Sequence, residues 1–404
     1  MSESVDEFRA RARAWLQDNA KPYDEAADDG ELSSSFSLEE SKAFQKKLHE
    51  AGFAGITWPV EYGGQGLSVA HQAAFYEEAS DFLLPTSPFL IGLGMPGPTI
   101  LECGSEEMKR RYLPRMLSGE EIWCQLFSEP EGGSDVASLR TSAKRTENGW
   151  VINGQKVWTT GAQFSDYGTI LARTDPESPK HAGITMFVVD MHDPGVTVRP
   201  LRVATGHAPF NEVFFDGVEV SDDAVIGEVN RGWQAAVVML RNERVTIGAS
   251  GRSRANPLAF ESLAELAASR GHTDDPGVRR RLAQVYAREN ATRAFGRLLH
   301  ERALAGIEIG ATGSAAKLAG AELHLWLSDV VQELFGPELV LGGDDLASVV
   351  TSAIASPGNA TAGGTNEIQR NIIAERVLGL PKDPGVDRNV PFNQLRFGPS
   401  SKES

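Results

Sequence analysis

Residues 148–160 read NGWVINGQKVWTT. Asn-Gly tolerates the positive φ angles of a tight hairpin turn, and β-branched or aromatic residues flank both pairs. The stretch therefore predicts short strands punctuated by turns at Asn148-Gly149 and Asn153-Gly154. Working outward, EIWCQLF (121–127), GTILART (168–174), ITMFVVD (184–190), VTVRPL (196–201) and EVFFDGVEV (212–220) are further short β-rich runs. The period changes on either side. DEFRARARAWLQDN (6–19), LEESKAFQKKLHEAG (38–52), HQAAFYEEASDFLL (71–84) and SEEMKRRYLPRMLSG (105–119) repeat their apolar residues every three to four positions, as helices do. The helical pattern returns after Gly232 and ends near Pro381. The order α, β, α predicts an α+β fold: an N-terminal helical bundle over 1–120, a middle antiparallel β domain over 121–228, a C-terminal helical bundle over 229–381 and a tail over 382–404.

Composition narrows the function. The chain has 404 residues, is 41% apolar and carries a formal net charge of −16. It can build a sizeable core, and its bulk surface repels nucleic acid and anionic membrane. No apolar run reaches the roughly 18 residues of a membrane span. The N-terminus is amphipathic without a secretory apolar stretch, and Cys103 and Cys124 are the two cysteines; both features point to the cytoplasm. Eight histidines without an HxH or HxxxH pair predict no metal site. No GxGxxG follows a strand. GATGSAAK (310–317) resembles a phosphate loop only loosely, since Leu318 follows Lys317, and reads as a loop and the first turn of a helix.

Four stretches hold candidate chemistry. SEPEGGSD (128–135) is an ordinary hairpin loop or one that aims backbone N–H groups at a ligand. In QKVWTTGAQ (155–163), Trp158 is core filler or a flat wall for a planar cofactor, with Thr159 and Thr160 supplying hydroxyls. GGTNE (363–367) opens a helix with Thr365 or Asn366 as cap, or binds an anion or carbonyl at that helix N-terminus. In AVVMLRNERVTI (236–247), Ala236, Leu240 and Ile247 mark a buried stripe, and Glu243 and Arg244 lie beside it. That acid is one half of a structural ion pair or a working group.

EYGGQG (61–66), KRRYLPRMLSGE (109–120) leading into CQLFSEPEGGSD (124–135), NGQKVWTTGA (153–162), LRNER (240–244), QELFG (332–336) and GGTNEIQR (363–370) occur in this order with sensible spacings. Together they resemble the acyl-CoA dehydrogenase family over about residues 5–381. The resemblance implies a helical bundle, a β domain and a helical bundle. It implies FAD as cofactor, α,β-dehydrogenation of an acyl-CoA thioester, and an electron-transferring flavoprotein as acceptor. It assigns Leu126, Phe127 and Ser128 to the flavin edge, Trp158 to the ring and Thr160 to its N5. Ser134 falls to the FAD pyrophosphate or the CoA arm. Gln332 and Gly336 fall to the FAD of a neighbouring subunit, and Thr365, Asn366 and Glu367 to FAD at the opening of the last helix.

Two departures matter. Most family members carry the catalytic glutamate where this chain has Gly363. A minority branch, including isovaleryl-CoA dehydrogenase, places it on another helix just before an arginine, as Glu243 stands before Arg244 here. The resemblance thus implies Glu243 as base, its pKa raised by desolvation, with Arg244, Gly363 and Gly364 toward the substrate and a backbone N–H near 363–364 meeting the thioester oxygen. The family's RxxFG is also missing in register: LAELAASR (263–270) lacks it, and ATRAFG (291–296) lies too near Gln332. Some actinobacterial-type relatives with this pattern work as α2β2 pairs, in which one subunit type has lost the base, and many of those act on sterol-derived thioesters. A homotetramer, an α2β2 assembly with this chain as a non-catalytic partner, and a flavin oxidase or monooxygenase on the same fold are the accompanying expectations.

Overall fold

Serine side chains set the first helices. Ser4 accepts the backbone N–H of Glu7 while Glu7 accepts that of Ser4, and Ser37 and Glu40 repeat the reciprocal cap. In the computed structural model, which describes residues 3–23, 36–250, 256–307, 309–341, 343, 346–382 and 389–395 and omits the side chains of 244–250, these caps open α1 (Val5–Asn19) and α2 (Leu38–Glu50). β1 (Lys21–Pro22) pairs with β2 (Phe82–Leu83), and α3 (Val69–Ala79) lies against α1. Arg9 and Arg13 of α1 converge on Glu78 of α3 at 3.1 and 2.6 Å. Phe8, Leu16, Phe44, Phe53 and Phe75 fill the space between. α4 (Leu90–Gly94), α5 (Pro96–Cys103) and α6 (Glu106–Ser118) complete this part; Gly119 ends α6 in the left-handed conformation.

The sheet follows. β3 (Trp123–Leu126), β4 (Ser142–Thr146), β5 (Gly149–Thr160), β6 (Tyr167–Arg173), β7 (Ile184–Asp190), β8 (Val196–Leu201), β9 (Phe210–Val220) and β10 (Val225–Ile226) lie in the order β10-β7-β6-β4-β5-β9-β8, with β3 added to β6. Pairing is antiparallel except where β6 meets β3 and the end of β4. The pleat sorts side chains to two faces. Trp123, Leu171, Met186 and Val188 join Met108 and Leu113 on the helical side. Cys124, Leu126, Ile170, Phe187 and Val189 join Ile152, Val213 and Phe215 in the other core.

One predicted turn is present and one is not. Thr146 pairs with Gly149, leaving Glu147-Asn148 as a two-residue loop. Asn153-Gly154, read as a turn, lies inside β5, where the register shifts between Ile152 and Gly154. Tertiary contacts explain this. Asn153 Oδ1 accepts the Gly217 N–H at 2.9 Å, and a Cβ at Gly154 would stand 2.4 Å from Thr141 Oγ1. The pair makes a bulge that bends one long strand.

α7 (Gly232–Ser250) leaves the sheet and carries the chain back to helices. Its start presses on β7, where a Cβ at Gly232 would lie 2.5 Å from Met186 N. Ala235, Ala236 and Met239 are buried in the helical-side core; burying Met239 alone is worth about 2–3 kcal/mol. α8 (Phe260–Ser269), α9 (Pro276–Leu304), α10 (Gly313–Phe335), α11 (Pro337–Leu341), α12 (Ala347–Asn359) and α13 (Asn366–Ile372) follow. Leu263, Leu282, Val285, Leu327 and Val331 form their core. GATGSAAK becomes a 3-10 turn (Gly310–Thr312) and the first turn of α10, as read from the sequence. Within the span expected as tail, Phe392 and Asn393 donate backbone N–H groups to Ser178 and Pro176 at 2.9 Å each. The Phe392 ring lies 3.8 Å from the Arg173 guanidinium.

Candidate active site

Beyond β3 the chain enters residues 127–135, and a buried ion pair shapes that loop. Lys156 of β5 is fully buried; its Nζ lies 2.8 Å from Glu129 Oε1 and donates to the Phe127 carbonyl at 3.1 Å. The Glu129 carboxylate also accepts the backbone N–H groups of Arg140 (2.6 Å) and Thr141 (3.0 Å). Peptides are trans and planar. With the Phe127 carbonyl turned to Lys156, the Ser128 N–H points the opposite way, and it has no acceptor among the described residues. Reciprocal bonds between Glu129 and Gly132 close the tip. Ser134 is exposed beyond it.

Burial alone would raise the Glu129 pKa, but the Lys156 ammonium and the N–H donors outweigh it and hold the carboxyl below the usual carboxylate range. A value lower in the folded than in the unfolded chain stabilises fully above about pH 4.3 and is lost as pH falls through the folded value. Glu129→Gln is expected to flatten the acid side of the stability–pH curve, measured by urea midpoints from about pH 5 down to about pH 2.

β5 carries a second irregularity. Its register against β9 shifts between Lys156 and Thr159, and Trp158 sits there with φ of 61°. Left-handed backbone costs a tryptophan about 1–2 kcal/mol. Trp158 is 59% exposed, edge-on to Phe210 at 5.8 Å, so the core-filler reading fails. Thr159 is buried, and its Oγ1 has no partner among the described residues. Thr160 is half-buried. A strained, exposed indole beside an orphaned hydroxyl and an unclaimed N–H suits a planar ligand with polar edges.

Glu243 lies one helical turn after buried Met239 on α7 and is half-buried. Gln125 of β3, the residue before Leu126, donates its Nε2–H to Glu243 Oε2 at 3.1 Å. The carboxylate thus stands over the strand that leads into the loop. Arg241, two residues earlier, is bound to Glu102 of α5 at 2.5 Å. The side chains of Arg244 and Ile247 lie outside the described residues.

The GGTNE stretch forms a built turn. Gly363 and Gly364 have φ of 66° and 86°. Thr365 caps α13 by accepting the Ile368 N–H at 3.3 Å. Gln369 Nε2 donates to the carbonyls of Gly363 (2.8 Å) and Gly364 (3.2 Å). Lys317 Nζ of α10 donates to the Gly364 carbonyl at 2.7 Å. By the trans-peptide rule the N–H groups of Gly364 and Thr365 face away from these donors, and neither meets an acceptor among the described residues. Asn366 is buried and Glu367 exposed. Gln332 and Gly336 lie elsewhere, at the far end of α10, about 22 Å along the helix from Lys317. Gln332 is exposed, so these two do not join the same cluster within one chain. Arg293 of ATRAFG sits exposed on α9.

Sequence reasoning did not single out Gln125, Lys156, Gln369 or Lys317 as site residues. Each acts through another residue's backbone or side chain, which no motif announces. The one available signal was a lysine in QKVW with an acid in SEPE, both in β-rich surroundings. Among the described residues no group of three or more His, Cys, Asp or Glu could hold a metal.

The chain is similar to known proteins over most of its length. Family models described as acyl-CoA dehydrogenase N-terminal, middle and C-terminal domains match residues 2–120, 124–218 and 230–378. Acyl-CoA dehydrogenase IpdE1 of Mycobacterium tuberculosis is 37% identical over 384 residues, covering 94% of this chain and 99% of its own. Among solved structures, the Tcur3481-Tcur3483 steroid ACAD is similar at 28% identity and a TM-score of 0.79, covering 95% of this chain and 99% of that one. The ChsE4-ChsE5 complex from Mycobacterium tuberculosis is similar at 30% and 0.74, covering 95% and 99%.

Proposed function

We propose, from the premise that this chain belongs to the acyl-CoA dehydrogenase family and is an FAD-dependent oxidoreductase acting on acyl-CoA thioesters, that Glu243 is its general base. The reading is carried by the 3.1 Å bond from Gln125, which sets the Glu243 carboxylate beside the strand entering the 127–135 loop. FAD, when bound, accepts the hydride that leaves the β-carbon. The chain's own residues do the rest. Leu126, Phe127 and Ser128 offer backbone N–H groups and a hydroxyl to the flavin edge, Trp158 a flat wall, and Thr160 a hydroxyl. Ser134 lies on the exposed limb of the loop, suited to a pyrophosphate or pantetheine. Thr365, Asn366 and Glu367 open α13 toward the cofactor.

The proton next to a thioester carbonyl is far less acidic than a carboxylic acid. Its removal needs a positioned base and donors for the charge that grows on the carbonyl oxygen. Glu243 takes the proton. The outward N–H groups around Gly363 and Gly364 receive the oxygen, and each such donor is worth about 3–4 kcal/mol. Thr160→Ala is expected to slow flavin reduction while leaving stability within about 0.5 kcal/mol of wild type; an unchanged reduction rate would remove Thr160 from the cofactor's reactive edge.

For the substrate we propose a bulky, sterol-derived acyl chain, since a similar structure is described as a steroid ACAD. The acceptor is an electron-transferring flavoprotein. The test is anaerobic bleaching of the flavin by straight, branched and sterol-derived CoA esters, with peroxide measured under air. Bleaching by none of them sinks the reading, and rapid peroxide formation replaces the dehydrogenase with an oxidase. A second reading, a partner subunit of an α2β2 assembly rather than a homotetramer, is favoured by exposed Gln332 and the missing in-register RxxFG. A chain that purifies alone without flavin, and becomes yellow only with a homologous partner, would establish it.

A further inference from the structure

Gln125 occupies a position that the pleat assigns to an apolar side chain. Trp123, two residues earlier on the same face, belongs to the helical-side core, whereas Cys124 and Leu126 point into the other core. Opposite Gln125 in the register is Thr169, whose Oγ1 lies 3.7 Å from Met239 Sδ. Met239 and Glu243 are one turn apart on α7, so the Gln125–Thr169 pair sits beneath the same helical face. A half-buried amide there loses water and needs a partner. The partner is the Glu243 carboxylate.

We infer that Gln125 is a positioning residue for Glu243: its amide N–H fixes the carboxylate and stabilises its ionised, proton-accepting form. This rests on the reading of Glu243 as base. Among the described residues, charged groups on α7 and on the packed α10 bond other groups; His324 Nδ1 meets the Gly320 carbonyl at 2.9 Å, and Glu322 pairs with Arg370. On α7 itself Arg241 is bound to Glu102 of α5. From α10, Lys317 directs its ammonium to the Gly364 carbonyl. Cys103 ends α5 as a half-buried thiol, which burial pushes above its usual range. α4 carries no ionisable side chain, and β7 only Asp190 at its far end. A neutral amide supplies a donor without adding a titrating group to the site.

The test compares Gln125→Leu and the near-isosteric Gln125→Met in the FAD-loaded enzyme. A hydrogen bond to a charged group corresponds to about one pKa unit. The acid limb of the pH profile for flavin reduction should therefore move up by about one pH unit, with flavin content unchanged. Gln125→Glu should move it further, because two adjacent carboxylates share a proton. Urea midpoints give a readout independent of turnover: the stability effect of Gln125→Met should be smaller in a Glu243→Gln background than in wild type. An unmoved limb together with additive midpoints overturns the inference about Gln125 while leaving the base untouched. Full flavin reduction by Glu243→Gln would instead overturn the base reading itself. If the leucine variant fails to fold, the methionine variant decides.

Discussion

Glu243→Gln is expected to lower the rate of flavin reduction by acyl-CoA by roughly 10²–10⁴-fold, the usual contribution of a positioned general base. The change removes the proton affinity of the side chain. Glutamine matches the shape of glutamate, and its carbonyl oxygen still accepts the Gln125 N–H that now ends on Oε2. Flavin content and thermal midpoint should stay near wild type, so the loss reads as chemistry. Anaerobic stopped-flow at the flavin band checks it. Placing glutamate at 363 in that variant is expected to return only part of the rate. Gly363 sits at φ of 66°, where a side chain costs about 1–2 kcal/mol, and Gln369 already holds its carbonyl.

Lys156→Met is expected to destabilise the protein by about 3–5 kcal/mol, the range for removing one partner of a buried ion pair. The reason is local. Lys156 is fully buried and bridges Glu129 and the Phe127 carbonyl. Methionine fills its volume but leaves a buried carboxylate without its counter-charge and a carbonyl without a donor. Denaturation midpoints measure the loss. The double variant Lys156→Met with Glu129→Gln should lose less than the sum of the single changes, because the stranded charge is gone. An additive pair would mean that the two groups do not depend on each other.

The helical, β and helical order was legible because it rests on hydrophobic periods that tertiary structure obeys. The cap at Thr365 and the opening of α10 after Gly310 were legible too, since both are local backbone chemistry. Asn153-Gly154 was misread because the contacts that shape it are distant in sequence: Thr141 lies 13 residues from Gly154, and Gly217 lies 64 from Asn153. The same property hid Gln125, whose pattern position says core and whose partner is 118 residues off. Trp158 could not be settled from spacing; its positive φ and exposure belong to the folded chain alone. Gln332 and Gly336 were legible as a motif, yet their distance from the rest follows only from the length of α10.

The most direct measurement separates proton removal from hydride loss. An acyl-CoA with sulfur in place of the β-carbon has no hydride to give, so exchange of its α-hydrogens with D₂O reports the base alone. With an analogue of an accepted substrate and bound FAD, mass spectrometry should show rapid α-deuteration by the wild-type protein and none above background by Glu243→Gln. Equal exchange by both proteins would contradict the account and assign the proton to another group.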